Sequence, residues 1–72
     1  MTSMAIWLFT DIDPSEIEVA AAELRLMGAG TVLTKITDAG TVLQVVSERD
    51  DLEELVSRVL PSAALEKGQR LP

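Results

Sequence analysis

The chain has no cysteine and no histidine. The first absence excludes disulfides and thiolate metal sites. The second removes the commonest general base, the commonest metal ligand and the usual switch near neutral pH. Nucleophilic triads and zinc hydrolysis are out on the same ground. Basic residues are scarce too: six Lys and Arg stand against twelve acids, for a net charge of −6. Nucleic-acid binding needs a basic stripe that displaces counterions from phosphates, and no such stripe is present. An anionic membrane surface is disfavoured for the same reason. The acidity itself reads as solubility, or as attraction to a basic partner.

Long hydrophobic runs are also missing. No stretch approaches the ~20 apolar residues of a membrane span. The opening MTSMAIWLFTD has no basic n-region and only a short apolar run, so it does not read as a signal peptide; a cytoplasmic location is expected. No Gly-rich phosphate loop occurs, since GAG at residues 28–30 reads as a helix stop followed by a strand start. A Ser–Lys dyad has no supporting spacing. These absences lead us to expect no enzymatic activity, no cofactor and no metal.

What is present is a chain of 72 residues, 47% of them apolar. That length makes one domain, which buries only about 60% of the surface its unfolded form exposes. Without disulfides or metal, a good core or a partner surface must make up the difference.

Residues 4–10, MAIWLFT, are apolar without alternation, as in a short strand buried on both faces. In DIDPSEI, Asp13 suits an N-cap, Pro14 the first helical position and Glu16 the third, a capping box. Ile12 and Ile17 are placed for a hydrophobic staple. A paired-carboxylate metal site at Asp11 and Asp13 lacks a third ligand. The helix that follows is expected to bury Ile17, Ala20, Ala21, Leu24 and Met27 and to end at a left-handed Gly28.

The segment GTVLTKITDAGTVLQVVS repeats GTVL at an interval of ten residues. That is too short for a solenoid unit. It reads as the two strands of a hairpin, with Asp38-Ala39 in a type I turn and Gly40 in the αL position after it. The favoured register puts Val32, Thr34, Ile36, Leu43 and Val45 on one face. Leu33, Lys35, Thr37, Val42, Gln44 and Val46 take the other. A one-residue slip would flip every side chain. Ser47 or Asp50 suits the cap of a second helix, whose stripe is Leu52, Leu55, Val56, Val59 and Leu60. Its early acids suit the helix dipole, and Pro61 stops it. SAALEKG forms a last short strand, and residues 68–72 are expected as an extended tail.

The order is β-α-β-β-α-β. Right-handed crossovers place the first and third strands in the middle, with both helices on one face of an antiparallel four-stranded sheet. The expected class is α+β, a ferredoxin-like two-layer sandwich in one domain, residues 1–72. In such a fold one sheet face is bare. Ala5, Trp7 and Phe9 point one way and Ile6 and Leu8 the other, so one apolar set must lie on it. Leu33, Val42 and Val46 join that face, partly covered by Lys35 and Gln44. A contiguous apolar patch marks a docking surface. The candidate partner-binding residues are Trp7, Phe9, Leu33, Val42, Gln44 and Val46.

The strand AIWLF, the turn DPSEI, the helix closing in GAG before TVLTKI, the hairpin ITDAGTVLQVV and the segment LEELVSRVLPSAALEKGQ together resemble the inhibitor I9 family. These are propeptides of subtilisin-like proteases and their free-standing inhibitor relatives. The likeness spans nearly the whole chain. It implies an inhibitor or folding chaperone whose open sheet face docks on two surface helices of a protease. The tail, with Lys67, Gln69, Arg70 and Leu71, would lie in the cleft as a product-like strand. Pro72 departs from this, because it lacks the N–H that a strand ladder uses.

The same order of elements is similar to ACT-like regulatory modules. Those are homo-oligomers that bind a small ligand, and their ligand loop corresponds to TDIDPSE here, although their usual Gly after Pro14 is missing. A phage or mobile-element protein that blocks a host factor is a further variant of the inhibitor reading.

Overall fold

The computed structural model describes residues 4–38 and 40–70. Four strands and two helices follow one another as β1 (Ala5–Thr10), α1 (Ile17–Leu26), β2 (Thr31–Thr37), β3 (Gly40–Ser47), α2 (Leu52–Val59) and β4 (Ala64–Arg70). The strands form one antiparallel sheet in the order β2-β3-β1-β4. The architecture is a small α+β unit with both helices on one face of the sheet. The other face is open.

The hairpin takes the favoured register. Thr34 lies opposite Leu43 and Val32 opposite Val45, and Thr37–Gly40 closes the loop. Val32, Leu43 and Val45 therefore share the helix-facing side and are buried. Ile36 is on that side too, yet it is 75% exposed, because it projects at the free edge of β2. Gly40 has a positive φ of 131°, beyond the expected αL region. Ala39 lies outside the described residues. The Thr37 hydroxyl donates to the Gly40 carbonyl at 2.8 Å and tightens the loop.

The core is one cluster. Ile17, Ala20, Ala21 and Leu24 come from α1, and Leu52, Leu55 and Val56 from α2. They pack on Phe9, Val32, Leu43 and Val45, with Ile12, Ala29 and Leu60 closing the ends. Met27, expected inside, is 41% exposed, because the helix ends one residue earlier. There the Gly28 N–H donates to the Arg25 carbonyl and the Ala29 N–H to that of Leu24. With Gly28 at φ 74°, this is a Schellman cap, and it buries Ala29 beside Leu24.

The start of α1 differs from the capping box. Residues 14–16 form a turn, and Glu16 is the cap, without a side-chain bond. The Asp13 carboxylate is used inside that turn. It accepts from the Ser15 N–H at 2.9 Å and from the Ser15 hydroxyl at 2.8 Å. The staple pair Ile12 and Ile17 is buried as expected. At α2 the cap residue is Asp51, again without a side-chain bond to the helix backbone, rather than Ser47 or Asp50. Ser47 is buried, and its hydroxyl accepts from the Arg49 N–H.

Arg49 ties the two helix-bearing halves together. It grips Asp51 with two bonds, at 2.8 and 2.9 Å, and donates to the Met27 carbonyl at 3.2 Å. No helix among the described residues is long and apolar enough to cross a membrane.

Candidate functional site: the open sheet face

Strand register decides which side chains the open face carries. Phe9 lies opposite Leu43 and Trp7 opposite Val45, both of which face the helices. Trp7 and Phe9 therefore lie in the covered layer, and this corrects their expected place on the bare face. Ile6 and Leu8 take that place. The hairpin residues Leu33, Val42, Gln44 and Val46 are where the sequence puts them, on the open side.

Two rungs cross the whole sheet on this face. One runs Thr31, Val46, Ile6, Gln69, and the other Leu33, Gln44, Leu8, Lys67. The central strands place Ile6, Leu8 and Val46 beside the polar Gln44, all half-buried, and Leu33 at the β2 edge is 50% exposed. Lys35 lies opposite Val42 at one margin. With strands ~4.8 Å apart and a rise of ~3.3 Å per residue, the face covers roughly 400 Å². The apolar part, Ile6, Leu8, Leu33, Val42 and Val46, is a fraction of that area, framed by Thr31, Gln44, Gln69 and the two lysines.

Charge is divided between the layers. The open face carries Lys35 and Lys67. Glu18, Glu23, Glu53 and Glu54 lie on the helices, and Asp50 and Asp51 lie just before α2. The paired positions of the open face thus carry two lysines and no acid, with Glu66 beside them at the β4 bulge.

The expected tail is largely strand. Gly68, Gln69 and Arg70 are rungs of β4, opposite Trp7, Ile6 and Ala5. Lys67 and Gln69 belong to the open face, whereas Arg70 points to the helix side, within 3.6 Å of Asp50. Leu71 and Pro72 lie outside the described residues. Between Leu8 and Phe9 the register shifts, leaving Glu66 as the extra residue of a bulge. β4 is exposed along its whole length.

On the helix side, where β4 is uncovered, a shallow cavity of about 300 Å³ is lined by Trp7, Leu65, Gly68, Arg70, Asp50 and Arg49. The Trp7 Nε1–H is buried and has no hydrogen-bond partner among the described residues. Such an orphan donor costs about 1–3 kcal/mol. A second groove, about 320 Å³, separates α1 from α2 between Val19 and Val59, with Glu16 and Glu23 on its wall.

The loop at residues 11–15 holds Asp11 at φ 60°, a left-handed backbone that Asp tolerates better than most side chains. The two bonds from Ser15, the backbone one foremost, keep the Asp13 carboxyl below the ordinary aspartate range. Asp13 is thus engaged by its own turn. Among the described residues no group of three His, Cys, Asp or Glu side chains is arranged to hold a metal ion.

Compared with known proteins, the chain matches no family model, no curated protein and no solved structure.

Proposed function

We propose that the chain is a non-enzymatic protein-binding module of ferredoxin-like type that docks through the open face of its sheet. One observation carries this reading: two complete rungs place Ile6, Leu8, Val46 and Leu33 together on the side the helices leave bare. The strand order, with β3 and β1 central, fits that fold type. Covering these side chains removes apolar surface from water, and the part of that gain exceeding the cost of association appears as affinity.

The partner we favour is a subtilisin-like protease, bound in the manner of a propeptide inhibitor. The face alone would supply most of the contact. β4 keeps Lys67, Gln69 and Arg70 in the sheet, so a strand entering the cleft would begin beyond Arg70 or require β4 to peel away.

The test is inhibition of a subtilisin-like protease by the purified chain, alongside Leu8→Glu and Val46→Glu. Dose-dependent inhibition that both folded variants lose supports the reading. No inhibition at about 100 µM excludes the protease as partner. Inhibition that survives both variants excludes the sheet face.

A further inference from the structure

The two edges of the sheet are built differently. β4 carries a bulge and the charged pair Glu66 and Lys67, devices that discourage strand addition, and a glycine, which weakens the strand. β2 has none of these except Lys35. It pairs with β3 through seven consecutive rungs without a shift, and its sequence is TVLTKIT.

Which backbone groups of β2 face outward follows from the loop. The closing pair of a two-residue hairpin, Thr37–Gly40, exchanges hydrogen bonds inward. Alternation then turns the N–H and C=O of Ile36, Thr34 and Val32 away from β3. Arg25 bears this out, since its Nη2 donates to the Val32 carbonyl at 2.8 Å, from outside the ladder. A carbonyl has two lone pairs, so this bond leaves Val32 able to accept another.

The strand is close to a palindrome. About Thr34, Thr31 mirrors Thr37, Val32 mirrors Ile36, and Leu33 mirrors Lys35. An antiparallel copy centred there sets Ile36, now 75% exposed, against Val32 of the second copy on the helix side. Leu33 then lies against the alkyl stem of the second copy's Lys35 on the open side.

The helix above repeats the symmetry. α1 packs chiefly on β2. Val19, Ala20 and Glu23 line the groove against α2, so Glu18, Ala22 and Arg25, spaced i, i+4, i+7, fall on the opposite flank, where Arg25 reaches the β2 edge. Two-fold rotation about Thr34 brings two α1 helices side by side and antiparallel. Glu18 of each copy meets Arg25 of the other, with the small Ala22 at the closest approach.

We propose that two copies of this chain pair antiparallel through β2, on a two-fold axis at Thr34, to make one continuous eight-stranded sheet from two four-stranded ones. The occupant of the edge is a second copy because register, apolar pairing and charge are all self-complementary there. The open faces of both copies remain free and join into a single wider surface.

The test is mass in solution by light scattering over a wide concentration range, for the native chain and three variants. The native chain should run at twice the 7.8 kDa of one copy. Thr34→Pro removes an outward N–H and leaves the β3 ladder intact, so a folded monomer is expected. Ile36→Lys, at an already exposed position, should raise the dissociation constant at least about tenfold, and it serves if Thr34→Pro does not fold. Glu18→Arg should weaken the dimer, and Glu18→Arg with Arg25→Glu should restore it. A native chain that stays monomeric at about 1 mM overturns the proposal. So does a dimer that Ile36→Lys leaves unchanged.

Discussion

The indole of Trp7 lies over Gly68: a Cβ on residue 68 would stand 3.1 Å from both Cε3 and Cζ3 of the ring. This cross-strand contact is closer than a methyl group allows without movement. It fixes the only tryptophan of the chain against the edge strand β4. Gly68→Ala should push the ring toward the adjoining cavity. We expect red-shifted tryptophan emission and a loss of about 1 kcal/mol, the strain slightly exceeding the entropy gained by replacing glycine. Unshifted emission would mean that the ring does not rest on residue 68.

Gly30 and Gly40 share nearly the same φ, 128° and 131°, but not the same surroundings. A Cβ at Gly30 would collide with the Val46 backbone carbonyl, whereas Gly40 faces open space. Gly40→Ala should cost about 1–2 kcal/mol of backbone strain. Gly30→Ala adds a clash with main chain that cannot rotate away, and should cost more than about 4 kcal/mol. Urea titrations of the two variants give the comparison, and equal losses would contradict the β2–β3 geometry.

Adjacent residues on β3 should differ sharply. Leu43 is fully buried, while Val42 lies on the open face. Leu43→Ala should cost about 2–5 kcal/mol and leave this small domain largely unfolded. Val42→Ala should cost less than about 1 kcal/mol. The reverse ranking in denaturant would place the hairpin in the slipped register.

Two aspartates should make stability depend on acid. Hydrogen bonds from Ser15 lower the pKa of Asp13, and those from Arg49 lower that of Asp51. A carboxylate with a depressed folded pKa contributes stability that is complete above its unfolded value. That contribution is lost as pH falls through the folded value. Melting temperature should therefore fall on acidification below about pH 4. Asp13→Asn and Asp51→Asn should each make the decline shallower, and slopes matching the native chain would assign the acid sensitivity to other groups.

Much of this arrangement is legible in the sequence. β2 and β3 alternate clearly enough that their faces could be assigned before any pairing was known. Gly28 sits where the last apolar residue of α1 calls for a left-handed turn. The first strand is harder, because AIWLF is apolar at every position and carries no alternation. Its parity is set by the opposition of Phe9 to Leu43, a long-range fact that local pattern does not contain. The sequence shows β4 shorter than it is for a related reason. ALEKGQR is exposed throughout, so it shows no apolar period, and only its ladder with β1 makes it a strand. At Asp13 the residue type was right for a cap, but Ser15 offered a closer donor and the carboxylate turned to it.

The uncovered position of β4 has a dynamic consequence. α1 rests on β2 and β3 and α2 joins the same core cluster, whereas β4 adds backbone bonds, the Trp7–Gly68 contact and the Arg70–Asp50 pair, but no buried side chain. Detaching it would expose little of the core cluster. Amide protons of β4 and the facing protons of β1 should then exchange through a local opening, well before those shared by β2 and β3. The fold would behave as a three-stranded body with a detachable last strand, and the emission of Trp7 would report when that strand is on or off.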